Sequence, residues 1–322
     1  AVTVAAEACA EDTKGQTCFI CTQALHWKTK EGLVRGCACR GTAGFAHVSC
    51  LAEQAKILFA EAEENNLANE VLADRWARWE TCSLCEQRYH GVVLCALGWA
   101  CWKTYAGRPE TDPLRRCAMS LLGNGLGAAS RHEDALSARK AELAMTRRLC
   151  TSESSILMTQ GNLANTYSML GRFEEAMLLR RDVYSGFLRI NGEQHEKTVL
   201  TANNYAASLY HLQRFEEAKA LLRKVMPVAR RVLGENHTLT LDMICLKAVV
   251  LASDDGSTVD DLREAVTTLE DTERITRRVL GGAHPTTVKM ERALQAMRAT
   301  LAAREGDDVS AVRAALDAMK AT

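Results

Sequence analysis

Gly171-Arg172-Phe173-Glu174-Glu175-Ala176 returns 42 residues later as Gln213-Arg214-Phe215-Glu216-Glu217-Ala218. Its neighbours return at the same offset. Asn162-Leu163-Ala164 becomes Asn204-Tyr205-Ala206, and Gly192-Glu193-Gln194-His195 becomes Gly234-Glu235-Asn236-His237. Going back 41 residues, Ser130-Arg131-His132-Glu133-Asp134-Ala135 fills the same place. Going forward 47, Arg263-Glu264-Ala265 and Gly281-Gly282-Ala283-His284 follow, the five extra residues fitting an insertion near Ser253–Ser257. A period near 40 marks a solenoid, whose units each lack a complete core and must stack on their neighbours. Each unit holds two helices with a short break between them. Ala164, Ala176, Ala206 and Ala218 let the helices approach, and Phe173 and Phe215 fill the space between. Four units and a partial one, Pro285 to Met319, are expected. The composition agrees: four prolines and six phenylalanines stand against abundant Ala, Leu, Arg and Glu, which favours helix.

Ordinary tetratricopeptide repeats run 34 residues. The longer unit, with its Asn-x-Ala, Gly-Arg-Phe-Glu-Glu-Ala and Gly-Glu-Gln-His elements, resembles the tetratricopeptide repeats of kinesin light chains over about Leu114 to Leu301. The resemblance implies a concave groove lined by the first helix of each repeat and a protein or peptide bound there. Asn162, Asn165, Asn203 and Asn204 are candidates for that lining, because an amide both donates to and accepts from a peptide backbone. The same asparagines also fit a solvated helix face. His195, His237 and His284 each follow a glycine and precede a new helix. Spaced along one edge of a solenoid, they fit capping better than a metal triad. Gly123-x-Gly-x-Gly127 has neither the preceding strand nor the lysine of a phosphate loop. It falls inside a first helix, so close packing accounts for it.

The amino-terminal quarter has a different grammar. Eight of the thirteen cysteines lie between Cys9 and Cys85. An odd total without a secretory signal argues against a disulfide framework. Four pairs stand out: Cys18-x2-Cys21, Cys37-x-Cys39, His47-x2-Cys50 and Cys82-x2-Cys85. Such spacing lets a tight turn aim two side chains at one tetrahedral centre. Eight ligands suffice for two closed zinc sites, which would supply the folding energy that a short, loop-rich segment lacks. Core thiols or redox pairs are the bland alternative, and four regular pairs speak against it.

The ligand order, four Cys, one His, three Cys, and the stretch Cys37 to Cys50 resemble the RING-CH (RING-variant) fingers of membrane-associated ubiquitin ligases. The PHD finger shares this order but usually has more than one residue between its third and fourth ligands and a shorter gap to His. The resemblance implies a cross-brace, with Cys18, Cys21, His47 and Cys50 on one structural zinc and Cys37, Cys39, Cys82 and Cys85 on the other. It implies an E3 ligase partnered by a ubiquitin-conjugating enzyme and ubiquitin. Ile20 sits where such ligases present an aliphatic side chain to that enzyme. The usual Trp position is Gln54, and Trp76 or Trp79, from a helical insertion Leu51–Thr81, are the expected replacements. Glu86 stands where a basic residue would hold ubiquitin. A non-enzymatic zinc-binding adaptor and a histone-tail reader are the alternatives. His26 and His90 are left over, since the eight positions are filled.

The expected fold is mainly α: a segment 1–17 without order, a zinc domain 18–90, a connecting helix and linker 91–113, and an α-solenoid 114–322. Lys+Arg and Asp+Glu both total 40, which gives no case for nucleic acid or an anionic membrane. The most apolar run, Gly91–Trp102, is too short to span a bilayer. A chain starting at Ala1 reads as processed or as a fragment. Its free thiols suit the cytoplasm or nucleus. No nucleophile and base pair with informative spacing.

Overall fold

The computed structural model describes residues 1–149, 151–254, 256–280 and 285–305. It is mainly helical, with antiparallel contacts limited to two isolated bridges, Val34 with Ala46 and Thr81 with Arg88, among the described residues. The chain divides into two units, Ala1–Leu170 and Gly171–Thr322.

The first unit contains α1 (Val2–Ala8), α2 (Val48–Glu64), α3 (Asn69–Ala77), α4 (Gly91–Tyr105), α5 (Pro113–Ala128), α6 (His132–Arg148) and α7 (Glu153–Met169). The expectation of disorder over 1–17 is corrected. Ala5 of α1 is fully buried, and Asp12 accepts two hydrogen bonds from Arg35 at 2.6 and 2.9 Å. The insertion after Cys50 is helical, as α2 and α3.

The apolar run Gly91–Trp102 forms α4, which is buried from Val93 to Gly98 and again at Cys101 and Tyr105. Val93, Leu94, Ala96 and Leu97 share a core with Phe45, Trp79 and Tyr89 of the cysteine-rich segment. Cys95 packs instead with Leu122 and Leu126 of α5. Backbones meet directly here. A Cβ on Gly98 would lie 3.0 Å from the Leu121 carbonyl oxygen, and one on Gly125 would lie 2.7 Å from that of Leu94. Gly125 therefore sits at a close approach, as does Gly123, beneath the Arg139 guanidinium. That guanidinium is buried, bonded to Glu142 at 2.7 Å, to Ser120 at 3.1 Å and to Asn124. The expected linker is tied down: Asp112 caps α5 through Leu114 N at 2.8 Å, and Arg108 bridges Asp112 and Glu63 while lying over Tyr105. The connecting helix thus shares cores with both its neighbours, and the unit boundary falls at 170/171 instead of at 113/114.

The second unit contains α8 (Phe173–Asn191), α9 (Glu196–His211), α10 (Phe215–Leu233), α11 (Thr238–Ser253), α12 (Val259–Leu280) and α13 (Pro285–Glu305). The repeat explains the turns of the helices in both units. Ser130, Gly171 and Gln213 hold equivalent places and all take positive φ, between 57° and 72°. The arginine after each starts the next helix and pairs with the acid three residues on: Arg131 with Asp134, Arg172 with Glu175, Arg214 with Glu217. At the other break, Gly192 and Gly234 take φ of 77° and 94°. His195 and His237 then cap α9 and α11, their Nδ1 atoms accepting from Lys197 N at 3.1 Å and Leu239 N at 3.3 Å. Capping is what the sequence predicts for them; His284, Gly281–Ala283 and Cys150 lie outside the described residues.

Candidate metal centres

Two turns of the same construction carry two of the cysteine pairs. In Cys18-Phe19-Ile20-Cys21, Ile20 N donates to the Cys18 sulfur at 3.4 Å and Thr22 N to the Cys18 carbonyl at 2.8 Å. In Cys82-Ser83-Leu84-Cys85, Leu84 N donates to the Cys82 sulfur at 3.4 Å and Glu86 N to the Cys82 carbonyl at 2.9 Å. Thr22 and Glu86 close these turns with φ of 62° and 57°. At Cys18 the amide-to-sulfur bond is among those that, against burial, favour the thiolate over the thiol. Glu86 therefore has a backbone role, closing a turn.

His47 caps α2 at its amino end and Cys50 lies in its first turn, so one helix start presents both. Cys37 and Cys39 sit on a loop that closes at Gly44, where φ is 84°. A Cβ there would meet the Cys39 Cβ at 2.6 Å and its sulfur at 2.9 Å. The sequence carries no local sign of this requirement.

All eight expected residues come together, in the expected partition. Cys18, Cys21, His47 and Cys50 form one group and Cys37, Cys39, Cys82 and Cys85 the other, with donor atoms in each group within 4.8 Å of one another. A tetrahedral ion with bonds to sulfur of about 2.3 Å needs sulfur–sulfur edges of about 3.8 Å, and slightly shorter edges to nitrogen. Cys39 and Cys82 sulfurs are 3.8 Å apart, and His47 Nδ1 lies 3.4 and 3.6 Å from the Cys21 and Cys50 sulfurs. Twelve described cysteines, these seven among them, are free thiols.

The thiols shift in both directions: against burial, hydrogen bonds lower Cys18 and Cys85, the latter to about 7. Burial pushes the Cys37 and Cys50 thiols well up, and thiolates beside them push further. Burial likewise raises Cys39, to about 11. Burial also lowers the His47 imidazole, which keeps it neutral. Its Nε2 faces the Ala24 carbonyl at 3.4 Å, so Nδ1 turns its lone pair to the sulfurs, the outer support that a ligating histidine needs. Each group can therefore hold one ion with four protein donors.

His26 and His90 stand outside both groups. His26 Nδ1 is engaged by Thr29 N at 3.1 Å and its hydroxyl at 2.8 Å, and His90 starts α4 with its N–H on the Gly36 carbonyl.

The expected contacts for a conjugating enzyme fare differently. Ile20 is half-buried. Trp79 is 0% exposed, which corrects its assignment as a surface contact: the ring lies in the core beside Tyr105, 6.0 Å away. Trp76 is half-buried between Phe59 and Tyr105, both at 5.3 Å. The exposed large apolar side chains between residues 18 and 90 are Leu25, Trp27, Ile57, Leu67 and Leu84. Leu84 holds in its turn the place that Ile20 holds in the other, a correspondence that aligning the two Cys-x2-Cys turns reveals.

Of the candidate groove asparagines, Asn162 and Asn165 are on α7 in the first unit, half-buried and exposed. Asn203 and Asn204 are on α9 in the second, both half-buried, and the Asn203 Oδ1 has no hydrogen-bond partner among the described residues. Arg180 of α8 is buried against Ser208 at 2.8 Å, and burial pushes it down to about 10.

A family model described as tetratricopeptide repeat matches residues 156–196 and 198–239. No curated protein matches the chain. Among solved structures, BtubC (BKLC) from P. vanneervenii is similar at 17% identity and a TM-score of 0.54, over 71% of this chain and 89% of that one. A kinesin light chain with nearly identical TPR-like repeats from Podosopora anserina is similar at 18% identity and a TM-score of 0.50, over 67% of this chain and all of that one. No described helix is long and apolar enough to cross a membrane. The chain carries tetratricopeptide repeats in a helical fold shared with these two proteins.

Proposed function

We propose that the chain is a RING-type E3 ubiquitin ligase whose two metal groups hold structural zinc. The observation that carries this is the interleaving of the groups: the first and third pairs form one, the second and fourth the other. Four protein donors close each coordination shell, so zinc would fix the fold and leave no position for substrate. In this reading the protein supplies no nucleophile. The finger, about residues 18–90, grips a charged conjugating enzyme, and the repeats, about 114–322, hold a protein substrate nearby, so the contribution is proximity and orientation. Asn162, Asn165, Asn203 and Asn204 belong to the proposed substrate face. Free thiols support a reducing compartment, cytoplasm or nucleus, in this reading.

The second reading is a zinc-binding adaptor without transfer activity. The buried Trp79 favours it, because one expected anchor for a conjugating enzyme is absent from the surface. Autoubiquitination with a panel of conjugating enzymes separates the two. The ligase reading expects chains that shrink about tenfold or more with Ile20→Ala, the usual cost of an interface anchor, at unchanged zinc content. No chains with any enzyme favours the adaptor.

A further inference from the structure

Leu25 and Trp27 are the two most exposed large apolar side chains among the described residues, at 58% and 68%. They stand on either side of His26, which is buried. Every other residue from Thr22 to Lys30 is exposed. The segment is therefore a projecting turn, rooted by one side chain, with the rest in solvent.

The turn is closed by its own hydrogen bonds. His26 N donates to the Glu31 carbonyl at 3.0 Å, and Lys30 N to the His26 carbonyl at 2.9 Å. Thr29 engages the His26 ring through its N–H and its hydroxyl. That ring packs edge-on against His47, 5.3 Å away, so the turn stands on the first metal group. Held in this way, Leu25 and Trp27 keep apolar surface in water, which is unfavourable in proportion to its area.

The charge of the turn is one-sided. Lys28 and Lys30 are exposed, and their side chains make no ion pair or hydrogen bond among the described residues. Glu31 is the one acid between Cys18 and Arg40. Its carboxylate is engaged elsewhere, accepting from Ser49 N at 2.7 Å and from the Ser49 hydroxyl at 2.9 Å. The equal totals of acids and bases in the whole chain average over this local excess.

A protein interface of ordinary size buries about 800 Å² on each partner, more than one short turn offers. Single-stranded nucleic acid would use the Trp ring and the lysines and leave Leu25 in water. An anionic bilayer surface uses all four side chains. Trp27 suits the headgroup level, Leu25 the acyl boundary, and the lysines the negative surface potential. We infer that this turn docks the chain on anionic membrane surfaces. No described helix is long and apolar enough to cross a membrane, so the contact is one of lying on the bilayer through a turn. The inference rests on neither the ligase reading nor the partner of the repeats.

Co-sedimentation of the full chain, purified without chelator, with phosphatidylcholine vesicles tests it, with and without phosphatidylserine. Two apolar side chains and two charges give weak, reversible binding, so lipid is used at millimolar concentration. Vesicles containing phosphatidylserine should carry the chain down, and pure phosphatidylcholine should carry much less. Trp27→Ala should weaken binding about tenfold or more. Lys28→Gln combined with Lys30→Gln should weaken it about twentyfold, at roughly fivefold per charge. Ile57→Ala, at an exposed apolar position on α2, should leave it unchanged. If Trp27→Ala lowers the melting temperature, the lysine pair decides. No sedimentation with phosphatidylserine, equal binding to both vesicle types, or binding that the Trp27 and lysine changes leave intact would overturn the inference. Tighter binding to oligothymidylate than to vesicles, lost with Trp27→Ala, would overturn it in favour of nucleic acid.

Discussion

Gly44 governs whether the second metal group can close. A side chain there meets Cys39 at its Cβ and sulfur, and neither can retreat without leaving the ligand position. Left-handed backbone adds about 1–2 kcal/mol for any L residue. Gly41 has a similar φ of 62° but open space around it. Elemental analysis of protein purified without added metal should therefore find two zinc ions per chain in the native protein and in Gly41→Ala, and about one in Gly44→Ala. Equal loading of both variants would refute the role given to Gly44. A second residue sets an acid limit in the repeats. His211 stacks on Phe173 at 4.7 Å, and burial, helped by the Arg180 charge, lowers its pKa in the fold. The unfolded chain, with a value of about 6.5, then binds the proton more readily than the folded one. The stability that His211 contributes is full above that value and is lost as pH falls through the lowered one. Urea midpoints at neutral and mildly acid pH should fall less steeply for His211→Gln than for the native chain; identical slopes would mean that other groups set the acid limb.

At the scale of elements, α4 against α5 is where small changes cut deepest. Gly125→Ala would drive a methyl into the Leu94 carbonyl, and the two backbones would have to separate, at about 1–3 kcal/mol. Gly127, two residues on in the same helix, meets only the Met169 sulfur at 3.7 Å. Gly127→Ala should instead stabilise by up to about 1 kcal/mol, through helix propensity. Denaturant midpoints should thus shift in opposite directions, and a shared sign would contradict the packing described. These glycines also show what could be read in advance. The repeated turns were legible because each is built from adjacent residues, such as Gly171 and the Arg172–Glu175 pair, and the metal pairs were legible for the same reason. The joint between α4 and α5 was not. A helix buried nearly all round has no polar face to mark its period, and the approach of Gly98 to Leu121 exists only once both helices are in place. Trp79 was misread for a related reason: its burial depends on Tyr105, from a helix that the sequence alone offered as a connector.

For the molecule as a whole, the question is how far the metal groups support the helices. Within the first unit, one core holds Cys18, Cys37, Cys50 and Cys82 together with Val93, Leu97, Ala118 and Leu121. Ligands and first repeat helices therefore bury the same surface, and α4 is common to both. On the zinc reading, removing the metal would leave crowded, buried thiols with no cation, and metal binding of this kind is coupled to folding. The loss should then spread past the finger into α4 and α5. The second unit has its own core, from Met177 to Met297, and among the described residues no such Cys/His group lies within it. Hydrogen exchange with and without a strong chelator reads this directly. Amides of α1, α2, α4 and α5 should lose protection when metal is removed, while those of α9, α10 and α11 keep theirs. A fragment starting at residue 114 should show the same weakness in α5, and one starting at residue 91 should restore part of it by returning the α4 face. If chelation exposes only the loops between Cys18 and Cys85, then α4 and α5 hold each other without help from the metal, and the finger is an appendage rather than part of the first unit's core.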